Sequence, residues 1–212
     1  MPTILRTQRA SMVAIAAAVA SAVVLSACGG SGAPVDRSAA DPTASGCVGA
    51  RTATSQEWVR PLEPAPSPNL PVTVTDVTGQ SITISDTSRI LALDTYGTLG
   101  TTVYALGLGD RLVGRDVSTG VPALVDLPVV TANGHELQAE AILDLDPSVI
   151  LTDYSIGPLE VQMQLKDAGI PVVILDDHRA RDTIGEQIRA VAHALGVDAA
   201  GDAVASRVER EI

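Results

Sequence analysis

The second half of the chain alternates short apolar runs with longer amphipathic segments. Strand-length runs occur in RILALD, RLVGRD, LPVVT, SVILTD and IPVVILDD. Helix-length segments lie between or after them: YGTLGTTVYALGLG, ELQAEAILDLD, GPLEVQMQLKDAG and TIGEQIRAVAHALG, the last with Ile184, Ile188, Val191 and Leu195 on one helical face. Apolar strands that alternate with helices predict an α/β fold, in which a parallel sheet is covered by helices on both faces.

Different patterns precede and follow these units. VTVTDVTGQSITIS alternates apolar and polar residues around Gly79-Gln80, which predicts a leading β-hairpin. Residues 29–70 are rich in Gly, Ser, Ala, Thr and Pro and lack an apolar period, so they predict a flexible tether. The folded module is expected over residues 71–212. Its last segment, AGDAVASRVEREI, predicts a further helix that has no breaker after it.

Residues 1–28 have the organisation of an export signal. Two arginines precede an apolar stretch from Met12 to Ala27, which is shorter than the ~20 residues of a spanning helix. The sequence LSAC, followed by GGSG, resembles a bacterial lipoprotein processing site. This resemblance implies that the Cys28 thiol carries a diacylglycerol, which anchors the protein to the extracytoplasmic face of the cell membrane. Cys47 then has no disulfide partner in the chain.

Charge and composition narrow the function. The chain of 212 residues has a formal net charge of −11, so the basic face that nucleic-acid binding requires is not expected. Aromatic residues make up 2% of the chain and Phe is absent, which predicts an aliphatic core. The sequence contains no Walker A motif, dinucleotide fingerprint or zinc-type His/Cys cluster. Ser118 and Ser155 have no base partner at a recognisable spacing, which disfavours a hydrolase.

Candidate binding residues follow the predicted strands, because ligands of open parallel sheets bind beyond the carboxyl ends of the strands. Tyr96 and Tyr154 fall on this edge, where each ring can stack on a flat ligand or donate a hydrogen bond. Arg115, Arg179 and Arg181 are candidates for pairing with ligand carboxylates, although the spacing does not select among them. We assign Tyr96, Tyr154 and Arg115 to the lining of the cleft. Partial burial with a structural role is the alternative for each.

His135 falls on the same edge, in the stretch NGHEL. Asn133 as an N-cap, with Glu136 three positions later, predicts that His135 lies in the first turn of a helix. The positive end of the helix dipole disfavours the imidazolium ion there, and neutral imidazole is the form that binds a metal ion. The local pattern leaves two interpretations open: a metal ligand, or an ordinary residue at a helix start.

Several segments, taken in order, resemble a known family. VTVTDVTGQSITISDTSRILALD, AEAILDLDPSVILTD and LKDAGIPVVIL resemble substrate-binding proteins of ATP-driven importers for iron, haem, siderophores and cobalamin, over about residues 71–212. LDTYGTLGTTVYALGLGDRLVGRDVST, LPVVTANGHELQAEAIL and LTDYSIGPLEVQMQLKDAGIPVV are similar to the haem-binding lipoproteins of actinobacterial haem importers.

This resemblance implies a binding protein, not an enzyme, that delivers haem to an ABC-transporter permease for iron uptake. His135 matches the family histidine that coordinates the haem iron axially from the N-terminal lobe. In that family a tyrosine and a nearby arginine of the C-terminal lobe complete the site, and neither Tyr96 nor Tyr154 matches that tyrosine. The chain is therefore expected to contain the N-terminal lobe and the start of the interlobe helix, without the C-terminal lobe. A siderophore or cobalamin receptor, in which His135 is incidental, and a secreted α/β enzyme are the alternatives.

Overall fold

A computed structural model of the chain describes residues 59–212. Its strands are β1 (Val72–Thr75), β2 (Ser81–Ile84), β3 (Ile90–Leu93), β4 (Thr131–Ala132), β5 (Glu136–Leu137), β6 (Val149–Thr152) and β7 (Val172–Ile174). Its α-helices are α1 (Thr98–Val103), α2 (Ala139–Asp144), α3 (Leu159–Asp167), α4 (Ile184–Ala194) and α5 (Asp198–Glu211). The predicted signal peptide, with Cys28, and the first part of the predicted tether lie outside the described residues.

The central sheet consists of β3, β6 and β7, which are parallel and lie in that order, with β6 in the middle. Every residue of these strands is buried. Because successive strand residues point to opposite faces, the sheet contributes to two separate cores. Ile90 and Ala92 pack into one aliphatic cluster, and Leu91 and Leu93 pack into the other. The continuous apolar runs of the sequence reflect this burial on both faces.

Helices cover both faces of the sheet. The first cluster joins the sheet to the β1–β2 hairpin and to α1, α4 and α5, through residues such as Val103, Val191 and Val204. The second joins it to α2 and α3, through Ile142 and Leu165. The predicted α/β class, the helices on both faces and the leading antiparallel hairpin are confirmed.

Two predicted strands, RLVGRD and LPVVT, are reduced to isolated parallel bridges. Leu112 bridges to Ile90, and Arg115 bridges to Val129. Arg115 N donates to the Pro128 carbonyl at 2.9 Å, and Val130 N donates to the Arg115 carbonyl at 3.0 Å. Pro128 has no amide hydrogen of its own, which interrupts the ladder between these segments. RLVGRD therefore lies extended beside β3, and LPVVT lies beside RLVGRD, without either forming a full strand.

The predicted helix start at His135 is wrong. Residues 131–132 and 136–137 form the antiparallel β4–β5 hairpin, and α2 begins only at Ala139. Asn133 (φ 48°) and Gly134 (φ 93°) adopt left-handed conformations that close its tight loop. Asn133 Nδ2 donates to Glu136 Oε2 at 2.8 Å, so this pair closes a hairpin and does not cap a helix. The helix-dipole argument for a neutral His135 therefore does not apply.

Residues 59–70, which the sequence pattern assigns to the tether, pack against the sheet domain. Leu62 N donates to the Ala105 carbonyl at 3.0 Å, and Asn69 N donates to the Gly196 carbonyl at 2.8 Å. The Leu62 and Leu70 side chains pack against the first aliphatic cluster. The packed part of the chain thus extends upstream of residue 71. Within residues 59–212, no helix has the length and apolar character needed to cross a membrane.

Candidate functional site at the carboxyl edge of the sheet

The loops that follow the central strands meet at one edge and are bonded to each other. Thr95, after β3, donates through its backbone N to Ser155 Oγ at 3.1 Å, and through Oγ1 to the Ser155 carbonyl. Ser155 follows β6 and is held by Asp153, whose Oδ1 accepts from Ser155 N at 2.8 Å. The carboxyl ends of β3 and β6 therefore present one continuous surface.

Arg179, in the loop after β7, links the loops that follow β3 and β6. Its Nη2 donates to Asp94 Oδ2 at 2.8 Å and to Asp153 Oδ2 at 2.5 Å. Both carboxylate side chains are fully buried, and the Arg179 side chain is 18% exposed. Burial alone opposes the charged guanidinium, but the hydrogen bond to Asp153 and the charges of both carboxylates outweigh it and raise the pKa of Arg179. The cluster is a largely buried, ion-paired junction of three loops.

Asp94 also organises the start of α1. Its Oδ1 accepts from Leu99 N at 2.9 Å, and its Oδ2 accepts from Thr98 Oγ1 at 2.8 Å. Its own amide donates to Asp116 Oδ2 at 3.3 Å. Burial raises the pKa of the Asp116 carboxyl and the negative charge of Asp94 adds to the rise, while hydrogen bonds from the amides of Asp94 and Thr119 oppose it.

The two tyrosines predicted to line the cleft lie at this edge. Tyr96 is 61% exposed, and its ring lies over the Arg179 guanidinium, with the Arg179 Cζ atom 4.8 Å from the ring centroid. Tyr154 is 50% exposed in the loop after β6. Neither is buried, so both rings are accessible to a ligand.

The Arg115 guanidinium donates hydrogen bonds to the loop that follows it. Its Nη1 donates to the Asp116 carbonyl and its Nη2 to the Val125 carbonyl, both at 3.2 Å. Its Nε is buried and has no hydrogen-bond partner among the described residues. The guanidinium thus holds the 116–125 loop, a structural role that the sequence pattern left open.

His135 lies at the tip of the β4–β5 hairpin and is exposed. Leu137 N, at the base of this hairpin, donates to the Gly157 carbonyl at 2.7 Å, and Thr131 Oγ1 accepts from Val117 N at 3.2 Å. The hairpin is thereby fastened between the loop that carries Tyr154 and the loop that follows Asp116. Within residues 59–212 the imidazole makes no hydrogen bond, so its nitrogen lone pair is accessible.

A groove of about 690 Å³ runs from this edge between α1 and α4. Its lining includes Arg179 and Arg181, together with apolar residues such as Leu99, Leu175 and Val191. His135 and the two exposed tyrosines are not part of it. Among residues 59–212, no group of three or more His, Cys, Asp and Glu side chains is arranged to hold a metal ion.

Comparison with known proteins identifies the family. A family model described as periplasmic binding protein matches residues 95–212, more than half of the chain. The chain belongs to the periplasmic binding protein family. Within that family it is 28% identical over 145 residues to the uncharacterized ABC transporter substrate-binding lipoprotein YvrC of Bacillus subtilis (strain 168). That match covers 67% of this chain and 45% of YvrC.

Solved structures of family members show the same lobe. The haem-binding protein HmuT is 44% identical, with a TM-score of 0.72, and the match covers 75% of this chain and 52% of HmuT. The periplasmic haem-binding protein RhuT from Roseiflexus sp. RS-1 is 35% identical, with a TM-score of 0.54, over 59% of this chain and 48% of RhuT. The chain spans about half the length of these relatives. The predicted resemblance to binding proteins of haem importers is confirmed.

Proposed function

We propose that this chain is the haem-binding lobe of an extracytoplasmic substrate-binding protein that delivers haem to an ABC-transporter permease for iron uptake. The similarity to HmuT carries the proposal, since it reaches 44% identity over three quarters of this chain, with a TM-score of 0.72. The proposed activity is binding and delivery rather than catalysis, as the family description implies.

His135 is the proposed axial ligand of the haem iron. Its exposed position at a hairpin tip and its lack of a hydrogen bond within residues 59–212 leave an imidazole nitrogen accessible to iron. The solved HmuT structures include three variants, in which a histidine, a tyrosine or an arginine is replaced by alanine.

The carboxyl edge that carries His135 suits the flat, apolar body of a porphyrin. Three residues in the loops at this edge are at least half exposed: Tyr96 at 61%, Val117 at 50% and Tyr154 at 50%. An apolar surface with a few fixed polar groups is typical of cofactor sites. In this proposal the two tyrosines line the cleft, whereas Arg115 acts through the loop that it holds.

Attachment to the membrane through a diacylglycerol on Cys28 is also part of the proposal. The LSAC sequence carries it, and YvrC, to which the chain is similar, is named a lipoprotein. Two acyl chains give stable anchoring where a single chain does not.

Cobalamin is the second candidate ligand. The vitamin B12 binding protein BtuF of Vibrio cholerae is 25% identical to this chain, with a TM-score of 0.50. Both values are below those of HmuT and RhuT, so haem is favoured. In the cobalamin alternative His135 is incidental, and a titration with cyanocobalamin distinguishes the two ligands.

The function is tested by titrating the chain with hemin and following the Soret band. We expect a shifted, intensified band, and we expect His135→Ala to alter it and weaken affinity by about tenfold or more. His193→Ala is the matched control, because His193 is an exposed histidine of α4 that pairs with Asp198 Oδ1 at 2.9 Å. If His135→Ala gives the spectrum and affinity of the unchanged protein, His135 is not the ligand; if cyanocobalamin binds and hemin does not, the cobalamin alternative replaces the proposal.

A further inference from the structure

The junction beneath the binding edge uses almost the whole hydrogen-bonding capacity of Arg179. A guanidinium has five N–H groups. Besides the two Nη2 bonds to Asp94 and Asp153, Nε donates to Thr98 Oγ1 at 3.1 Å, and Nη1 donates to the Asp177 carbonyl at 3.0 Å. Four of the five groups are therefore occupied within the protein, and the guanidinium already pairs with two buried carboxylates. Arg179 is poorly suited to bind a ligand carboxylate directly.

The face of the same guanidinium lies against Tyr96. Four hydrogen bonds hold the guanidinium plane, so the cation–π contact at 4.8 Å favours one orientation of the ring. One face of the ring is turned to Arg179, while the side chain as a whole stays 61% exposed. An exposed aromatic ring that is held in one orientation loses little conformational entropy when a ligand stacks on it.

The backbone around Tyr96 is equally constrained. Tyr96 N donates to Asp94 Oδ2 at 3.3 Å, and the preceding residue, Thr95, is bonded to Ser155. The following residue, Gly97, has φ +70°, and a Cβ atom there would lie 2.5 Å from the Ser118 carbonyl carbon. Only glycine fits at this close approach, so the turn that presents the ring packs directly against the Ser118 backbone.

We propose that Arg179 is a positioning residue, which holds the Tyr96 ring as a flat stacking surface for the planar tetrapyrrole. The inference rests on the proposed function and deepens it, because it assigns recognition of the tetrapyrrole plane to a side chain other than the iron ligand. His135 recognises the metal, and Tyr96 recognises the ring system independently of the metal.

Two probes separate these contributions: hemin, and protoporphyrin IX without a metal. Tyr96→Leu removes the aromatic face, and we expect it to weaken the binding of both probes by about 3- to 10-fold. Tyr96→Phe keeps the ring, so we expect its affinities to stay within about twofold of the unchanged protein. Leu143→Ala is the control, because this exposed leucine lies near the end of α2, which precedes the amino end of β6, and its affinities should not change.

The role of Arg179 is tested in the presence and absence of the ring. We expect Arg179→Lys, which loses the planar group, to weaken binding of metal-free protoporphyrin IX when Tyr96 is present and to have no further effect in Tyr96→Leu. Thr98→Val removes the acceptor of Arg179 Nε and should show the same dependence with a smaller loss. It serves as the test if circular dichroism shows that Arg179→Lys is unfolded.

The outcomes distinguish the inference from the function on which it rests. Equal affinities of Tyr96→Leu and the unchanged protein for both probes overturn the stacking role, while a loss of hemin affinity in His135→Ala still supports the proposed function. If Arg179→Lys weakens the affinity for protoporphyrin IX equally in the presence of Tyr96 and in Tyr96→Leu, Arg179 acts only as a structural residue. If the unchanged chain binds neither probe, the proposed function fails and the inference fails with it.

Discussion

Asp116 is a buried carboxylate that lacks a cationic partner within residues 59–212. Its Oδ1 accepts from Thr119 N at 2.7 Å and from Thr119 Oγ1 at 3.1 Å, and its Oδ2 accepts from the Asp94 amide. These hydrogen bonds only partly offset the loss of water and the nearby charge of Asp94, so the folded state raises its pKa. The Asp116 carboxyl therefore holds its proton to a higher pH in the folded protein than in the unfolded chain.

This raised pKa predicts a pH dependence of stability. Between the unfolded value near 3.8 and the higher folded value, the folded protein holds more protons on Asp116 than the unfolded chain. The contribution of Asp116 to the free energy of unfolding therefore falls as the pH rises through this window, and it levels off above the folded pKa. Urea unfolding at a series of pH values measures it, with Asp116→Asn lacking this contribution.

Asp86 provides a control, because its pKa shift is opposite in sign to that of Asp116. The amide and hydroxyl of Ser88 lower the pKa of the exposed Asp86, so its contribution is present above 3.8 and is lost as the pH falls below that value. Asp86→Asn should leave the slope assigned to Asp116 unchanged. Parallel profiles for Asp116→Asn and the unchanged protein would contradict the prediction.

At the scale of elements, a single ion pair fastens the β1–β2 hairpin to α3. Lys166 Nζ lies 3.2 Å from Asp76 Oδ2 and also donates to Gln80 Oε1 at 3.1 Å. Asp76 Oδ1 accepts from the amides of Thr78 and Gln80 at 2.9 and 3.1 Å, which closes the loop of the hairpin. Burial tends to raise the pKa of Asp76, but these hydrogen bonds and Lys166 outweigh it and lower the pKa.

Lys166→Met should lower the free energy of unfolding at pH 7 by about 1 kcal/mol, because it leaves a buried carboxylate without its cation. The difference between the variant and the unchanged protein should shrink as the pH falls below 3.8 and through the lowered folded pKa of Asp76, because a protonated carboxyl no longer needs the cation. Urea unfolding at pH 7 and pH 3 measures both effects. Glu209→Gln, which removes the exposed partner of Arg189, is the control and should cause the smaller loss; an equal or larger loss would sink the prediction.

The sequence predicted correctly those elements whose pattern of apolar and polar residues fits only one type of secondary structure. The apolar runs of β3, β6 and β7 and the apolar face of α4 appear where periodicity placed them. Residues 133–136 carry two conflicting patterns, because Asn-Gly favours a tight hairpin, whereas Asn followed three positions later by Glu favours a helix start. The hairpin forms because Leu137 is buried in the second cluster and pairs with Gly157 across the edge, a tertiary contact that local patterns do not contain.

The Arg179 junction belongs to the scale of the whole molecule. Its partners come from loops after β3 and β6, which are separated from it by 85 and 26 residues in the chain. Sequence placed Arg179 on the binding edge beside Arg115 and Arg181, but only the strand order β3-β6-β7 selects it. The signal that could have identified it is an aspartate directly after each of two adjacent strands, with an arginine after the third.

The segment 59–70 also affects the whole molecule. A chain that begins at residue 71 loses the backbone bonds of Leu62 and Asn69 and the packing of Leu62 and Leu70, so we expect its free energy of unfolding to be lower by about 2 kcal/mol than that of a chain that begins at residue 59. Thermal and urea unfolding of the two chains measure the difference. Ser67→Ala, at an exposed position of the segment, should change nothing. Equal free energies of unfolding for the two chains would mean that the segment does not stabilise the domain.

The size of the β4–β5 hairpin bears on how fast a ligand leaves. Each of its strands has two residues. The hairpin is held to neighbouring loops by the hydrogen bonds from Leu137 N to the Gly157 carbonyl and from Val117 N to Thr131 Oγ1, whereas the central sheet is buried on both faces. Small elements with few buried contacts open at a much lower free energy than the domain unfolds. In the proposed site, the His135 imidazole can therefore withdraw from the haem iron while the rest of the lobe stays folded. The residence time of the ligand and the thermal stability of the domain are therefore separate quantities, and a mutation in the hairpin can change the first and leave the second intact.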